Sequence, residues 1–374
     1  MHIAIISVAP PYRGGISKFT STLVKRISKK HLIKVINFKR QYPYFLFPGK
    51  SQLLKTNDYL GERCIDSINP LNWYNVGRKI AKGKFDLVIF NIWNPFFSPS
   101  LGMIASQVSK KSPNTKLISL CHNIFPHEKI PFGKILISYV LNKMHGHIVL
   151  SSQVEKELNE ILTNPIYTKK FHPIYDSYSD KIRKSKAKQE LNITAQKNII
   201  LFFGLIRPYK GFEILLKSIS LLKDKNISFH LIVAGECYQD KKQYIELINN
   251  LKISNYMTWH DSYIPDNDVV KYFSVADVVV LPYTSASQSG ISQIAYNYNM
   301  PIIVSDVGGL PEMVIDGKTG FIFKSGDYNM LFEKIFKILM ETNRDAMSNY
   351  IFKYKNKFSW IKFIEGIEEL YGKL

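Results

Sequence analysis

The feature that most constrains this 374-residue chain is a repeated local pattern. A short, almost continuously apolar run ends in a loop rich in Gly, Pro or Ser. A stretch of helical period follows. In the first half the runs are Ile3 to Val8, Leu32 to Phe38, Phe85 to Asn91, Lys116 to Leu120 and His147 to Leu150. In the second they are Asn198 to Phe203, Phe229 to Val233, Met257 to His260, Asp277 to Leu281 and Pro301 to Ser305. Short runs without polar alternation read as strands covered on both faces. Helical stretches alternate with them: Ser17 to Lys29, Leu101 to Val108, Phe132 to Met144, Phe212 to Leu222, Lys242 to Leu251 and Asp266 to Phe273. Such alternation predicts an α/β protein with doubly wound parallel sheets.

The pattern lapses over residues 163–188 and restarts at Asn198. The length suits two domains. The expected division is 1–175 and 190–357, joined by a linker whose basic run, Lys181 to Lys188, is solvated. An amphipathic helix from Phe358 to Leu370 closes the chain, and residues 40–75 read as irregular.

With 45% hydrophobic and 13% aromatic residues, two packed cores are available. Cys64, Cys121 and Cys237 are scattered, so the expectation is neither a disulfide framework nor a zinc site, and a reducing compartment. The first strand begins at the second residue, and no run of about 18 apolar residues occurs. The expected location is cytoplasmic. A net charge of +20 suits nucleic acid, anionic lipid or polyphosphate partners. No nucleic-acid-binding motif accompanies it. The expected further partner is an anionic membrane surface, met through Lys25, Arg26, Lys29 and Lys30 on the first helix.

Ligands of open α/β sheets bind outside the carboxyl ends of the strands. Arg13, Gly14 and Gly15 lie in such a loop before a helix, though not as GxGxxG, which argues against a nicotinamide or flavin site. Trp93 and Asn94 follow the strand at 85–91. His122, Asn123 and His127 follow the strand at 116–120. In the second half, Gly204 to Gly211 holds Arg207 and Lys210, two cations three residues apart and suited to a diphosphate. Glu236 follows another strand end, and Glu312 lies after Gly308-Gly309 at a helix start. Gln288, Ser289, Gly290, Ile291 and Gln293 span a small polar loop and the helix after it, where backbone N–H groups can meet phosphate. Asp266-Asn267-Asp268 reads as a helix cap rather than a metal site.

The run from Leu281 to Asp327, with the R…KG pattern at Arg207 to Gly211, resembles the donor-nucleotide site of family 4 glycosyltransferases. That resemblance spans nearly the whole chain. It implies the GT-B fold: two Rossmann-like domains facing a central cleft, with the last helix packing back on the first domain. It also implies a retaining, metal-independent sugar transfer from a nucleotide-diphosphate sugar to an acceptor. The basic first half, with Lys25, Arg26, Lys29 and Lys30, suggests that the acceptor is a glycan or lipid-linked, as in surface polysaccharide synthesis. No cofactor is expected. His122, Arg207 and Lys210 take the catalytic roles. Gly14, Gly15, Gly204, Glu236, Gln288, Ser289, Gly290, Ile291, Gln293 and Glu312 bind the donor. Arg13, Trp93, Asn94, Asn123 and His127 bind the acceptor. One departure stands out: the family's two glutamates fall here on Ile294 and on Ala286, or near Gln288 if the loop is one residue shorter, leaving Gln288 and Gln293 as the side chains of similar reach. The alternatives are a non-catalytic partner of the same fold or a nucleotide-sugar epimerase.

Overall fold

The computed structural model describes all residues except 44–50, 55–58, 126–130, 194–197 and 238–239. It divides into two compact units, Met1–His172 with Trp360–Leu374, and Pro173–Ser359.

In the first unit the strands are β1 (His2–Ile6), β2 (Leu32–Arg40), β3 (Glu62–Asp66), β4 (Leu87–Ile92), β5 (Lys116–Cys121), β6 (Gly146–Val149) and β7 (Tyr167–Lys169). Among the described residues they form one parallel sheet in the order β3-β2-β1-β4-β5-β6-β7. Ile5 lies between Val35 and Ile89 in that register. The helices are α1 (Gly15–Ile27), α2 (Pro70–Lys82), α3 (Ser98–Lys111), α4 (Gly133–Leu141) and α5 (Ser152–Ile161). Local chemistry sets their starts. Asn69 caps α2 by accepting from the Asn72 N–H at 3.1 Å, with Pro70 at the first position, and Ser151 caps α5.

The second unit holds α6 (Lys184–Glu190), β8 (Ile199–Phe203), α7 (Phe212–Asp224), β9 (His230–Ala234), α8 (Lys242–Asn250), β10 (Met257–His260), α9 (Asp266–Val275), β11 (Val278–Leu281), α10 (Gly290–Asn297), β12 (Ile302–Ser305), β13 (Gly320–Phe323), α11 (Tyr328–Phe336) and α12 (Arg344–Tyr354). Its parallel sheet runs β10-β9-β8-β11-β12-β13. The last helix, α13 (Trp360–Gly372), belongs to the first unit.

Residues alternate between the two faces of the first sheet. Ala4 and Ile6 pack with Val76, Ile104 and Val140 from α2, α3 and α4. Ile3 and Ile5 pack on the other face with Phe19 and Leu23 of α1 and with Phe363, Ile367 and Leu370 of α13. Each buried Val, Leu, Ile or Phe among them contributes roughly 1.5–3 kcal/mol. The fold is thus two Rossmann-like α/β units, the GT-B type expected from the sequence.

Three readings need correction. The stretch read as irregular contains β3, an edge strand whose polar Glu62 and Arg63 mask it; the rest of that reading at 44–50 and 55–58 lies outside the described residues. The stretch read as a linker contributes β7 to the first sheet and α6 to the second unit. Lys184 pairs with Asp277 at 2.7 Å and Tyr298 donates to the Ser179 carbonyl at 2.9 Å, so the segment is held by polar bonds that leave no hydrophobic period. The start of α9 is capped by neither Asp266 nor Asn267; Pro265 precedes it without a side-chain cap.

Candidate functional site

At the carboxyl edge of the second sheet, neighbouring loops are locked backbone to backbone. The Gly204 N–H donates to the Ala234 carbonyl at 2.9 Å, and the Ile206 N–H to the Glu236 carbonyl at 3.0 Å. A methyl group on Gly235, where φ is +151°, would stand 2.0 Å from the Gly204 carbonyl oxygen. Gly308, at φ +53°, is tighter: a methyl there would be 1.4 Å from the Ala286 oxygen, while the Gly309 N–H donates to the Ser287 carbonyl at 3.1 Å. Only glycine fits such approaches. The edge therefore brings together Gly204, Arg207, Lys210, Glu236 and the loop from Ser287 to Ile291.

Lys210 is half-buried, and its ammonium donates to the Tyr283 hydroxyl at 2.6 Å. The same nitrogen lies 3.9 Å from the Tyr283 ring centroid and 5.5 Å from that of Tyr209. No carboxylate among the described residues pairs with it. Burial holds its pKa below the ordinary lysine value, and the nearby Arg207 cation pushes the same way against the opposing pull of Tyr209. The Tyr283 side chain is fully buried, which raises its pKa and keeps the phenol protonated. Its oxygen meets Ser289 Oγ at 3.1 Å. Ser289 in turn caps α10, accepting from the Ile291 N–H at 3.2 Å. A cation is thereby tied through two hydroxyls to a helix start, where the backbone dipole adds positive character. The cap also occupies the Ile291 N–H, one of the backbone donors expected to face phosphate.

Two amides line the same region. Gln293 is fully buried and its Nε2 donates to Met313 Sδ at 3.2 Å, a weak acceptor. Its Oε1 and that of Gln288 are buried without a partner among the described residues. Ala286 and Ile294, two positions at which the resemblance leads one to expect glutamates, are buried apolar side chains. Glu236 is buried; Glu312 sits in the short 3-10 turn Pro311–Met313. Asp268, of the acidic trio, pairs with Lys271 at 2.8 Å.

In the first unit, Gly14 (φ +111°) precedes α1 and Gly15 opens it, and a methyl on either would meet nothing within 4 Å. The Arg13 guanidinium donates to the Ser51 carbonyl at 3.2 Å. Trp93 packs against Phe97, with ring centroids 4.6 Å apart. Asn94 spends its side-chain oxygen on the Phe96 N–H at 2.9 Å. His122 follows β5 and is buried, edge-on to Phe19 at 4.7 Å. Its Nε2 has no partner among the described residues. Burial, with a smaller push from His172, lowers its pKa to about 3, so the ring is neutral at physiological pH. Asn123 donates its backbone N–H to Ile92 at 3.4 Å. His127 lies outside the described residues.

Tyr283 is the contact that sequence reasoning missed. It is 73 residues from Lys210, and only the pairing of β8 with β11 makes them neighbours. A doubly wound strand order predicts that adjacency; the choice of tyrosine as partner carries no sequence signal.

Residues 183–354 match the sequence family described as glycosyl transferases group 1. This segment is a glycosyl transferases group 1 domain. Over its full length the chain is 24% identical to an uncharacterized glycosyltransferase of Methanocaldococcus jannaschii, covering 99% of it, and 23% identical to spore coat protein SA of Bacillus subtilis, covering all of it. Half of the chain is 28% identical to part of a capsular polysaccharide biosynthesis glycosyltransferase, CapM, of Staphylococcus aureus, with 46% of each covered. Among solved structures, Anabaena HepE in complex with UDP and glucose superposes with a TM-score of 0.79 at 16% identity, covering both chains completely. Sucrose-phosphate synthase from Thermosynechococcus elongatus gives 0.75 at 18%, covering all of this chain and 98% of the other. These likenesses establish the fold of the group 1 domain and its companion unit.

Proposed function

We propose that the chain moves a sugar from a nucleotide-diphosphate sugar to a glycan or lipid-linked acceptor, in the building of a surface polysaccharide. The observation that carries this reading is Lys210. Its ammonium lies close to Arg207, has no carboxylate partner among the described residues, and is tied through Tyr283 and Ser289 to the start of α10. A lysine with no carboxylate partner among the described residues, a neighbouring arginine and a helix N-terminus together suit a diphosphate. As the glycosidic bond breaks, negative charge grows on the leaving nucleotide, and fixed cations lower the barrier by meeting it.

On this reading Arg207 and Lys210 do the neutralising that a metal ion does elsewhere, so transfer proceeds without one. Gln288 and Gln293, near the positions where the family has glutamates, bring neutral acceptors for ligand O–H or N–H groups. Neutral His122 orients the sugar by hydrogen bonding; it cannot donate a proton as an imidazolium. The sugar keeps its anomeric configuration, as the resemblance implies. The known polysaccharide association of CapM supports the acceptor class.

A thermal-shift panel of UDP, GDP, ADP, CMP and their sugars tests the reading. Ligands that bind only the native state raise the melting temperature. One nucleoside diphosphate should stabilise the wild type and not Arg207→Ala/Lys210→Ala. No shift from any nucleotide favours the non-catalytic alternative, which the apolar Ala286 and Ile294 also suit. Conversion of a donor sugar without acceptor would favour the epimerase.

A further inference from the structure

Helices α2, α3 and α4 lie side by side over one face of the first sheet. Small residues let them approach closely: a methyl on Gly77 would stand 2.6 Å from Gln107, and one on Gly102 2.3 Å from Tyr139. Across their 13, 14 and 9 residues there is not one aspartate or glutamate. By contrast α5 and α13 each carry three glutamates. Arg78, Lys82, Lys110, Lys111 and Lys134 are exposed on the acid-free layer.

The same layer exposes large apolar side chains. Leu71 on α2 is 77% exposed. Phe132, next to α4, is 77% exposed, and Ile135 within it 68%. Two of its cations stand over exposed rings, Arg78 above Tyr74 at 5.6 Å and Lys143 above Tyr139 at 5.7 Å. Cations and aromatic rings beside protruding aliphatic groups match an interface that is anionic outside and hydrocarbon beneath.

We infer that the α2–α3–α4 face docks on an anionic lipid bilayer. A second copy of the chain is a poor occupant, because a two-fold contact would set these cations against each other. Nucleic acid would use the charge but leave Leu71, Phe132 and Ile135 without a role. The basic run on α1 is the weaker candidate. Lys30 lies 3.6 Å from Glu368, and α1 turns Phe19, Leu23 and Ile27 inward and presents no large apolar group outward. The inference does not depend on the sugar-transfer reading, since it concerns the first unit and would hold for a chain that bound no nucleotide.

The test is flotation of the whole protein with vesicles of pure phosphatidylcholine and of the same lipid with 30% phosphatidylglycerol (a composition of roughly physiological surface charge). The wild type should float with the anionic vesicles and not with the neutral ones, and about 1 M salt should release it by shortening the screening length to about 3 Å. Each lysine near such a surface is worth about a fivefold change in partitioning, so Lys110→Glu/Lys111→Glu should lower it at least 20-fold. Lys25→Glu/Lys29→Glu, on and just after α1, should change it much less. Phe132→Ser/Ile135→Ser should also weaken flotation, with the melting temperature unchanged. Phe132→Trp gives an independent readout: brominated anionic lipid should quench and blue-shift its emission. Equal flotation with neutral vesicles, no flotation with anionic ones, or greater loss from the α1 pair would overturn the inference. So would duplex DNA displacing the protein from vesicles at equal charge concentration.

Discussion

Replacing Tyr283 with phenylalanine isolates one hydroxyl. The ring remains under the Lys210 ammonium, whose cation–π contact at 3.9 Å is worth roughly 0.5–2 kcal/mol and is retained. Lost are the 2.6 Å bond from Lys210 and the 3.1 Å link to Ser289. A hydrogen bond to a charged group contributes about 1.5–3 kcal/mol. At about 1.4 kcal/mol per tenfold, Tyr283→Phe should weaken binding of the nucleoside diphosphate found in the panel roughly 10- to 100-fold. Lys210→Ala should do so by about the same or somewhat more, because it removes the charge itself. The decisive quantity is the double mutant. If the hydroxyl acts through Lys210, Lys210→Ala/Tyr283→Phe binds no more weakly than Lys210→Ala, giving a coupling energy near the whole Tyr283→Phe effect. Isothermal titration of the four proteins measures it, with melting curves to confirm that each is folded. Additive losses would refute the reasoning, because Tyr283 would then touch the ligand or shape the loop by itself. An unchanged Tyr283→Phe would show that Lys210 needs no hydroxyl to hold it.

Other outcomes follow from the same geometry. Because burial depresses the Lys210 pKa, diphosphate affinity should fall with rising pH earlier than an ordinary lysine would allow; in Lys210→Ala that inflection should vanish from the titration. Burial also lowers the pKa of His122 to about 3 and of His147 to about 4. Unfolding lets both rings take up protons below about pH 6.5, so each should remove up to about 1.4 kcal/mol of stability per pH unit as pH falls toward those values. Urea melts at pH 7 and 5 would register the loss, and a flat profile would contradict it. Gly308→Ala places a methyl against the Ala286 oxygen in a left-handed backbone, and should cost more than about 1 kcal/mol and abolish nucleotide shifts in the thermal panel. Ile367→Ala, in the seam between α13 and the first sheet, should cost about 2–5 kcal/mol by denaturant titration.

The strands were legible where burial on both faces made them continuous apolar runs, as in Leu87 to Phe90 and Ile199 to Phe203. Edge strands were not. In β3, one flank faces solvent and Glu62 and Arg63 interrupt the run; β7 is only three residues long. The segment 176–189 was opaque for a different reason. It is fixed by single polar contacts such as Ile182 to Ser274 Oγ at 3.1 Å, which leave no period. Loop positions of candidate residues could be read from strand ends, because chain order fixes them. Side-chain partners could not: nothing in the sequence marks the Asn94 side chain as accepting from the Phe96 N–H, or the Arg13 guanidinium as donating to the Ser51 carbonyl 38 residues away.

The return of α13 to the first unit has a consequence for synthesis. Phe19, Leu23, Ile148 and their neighbours form a hydrophobic surface that α13 covers. On the ribosome that surface emerges early, but residues 173–359 must be translated before its cover exists. At about 5–20 residues per second the wait is roughly 10–40 s. The second unit is contiguous in the chain and can complete itself in that time, while the first waits with an open seam. A nascent chain stalled in this window would present a sticky, half-closed sheet, a substrate for chaperones rather than a finished domain.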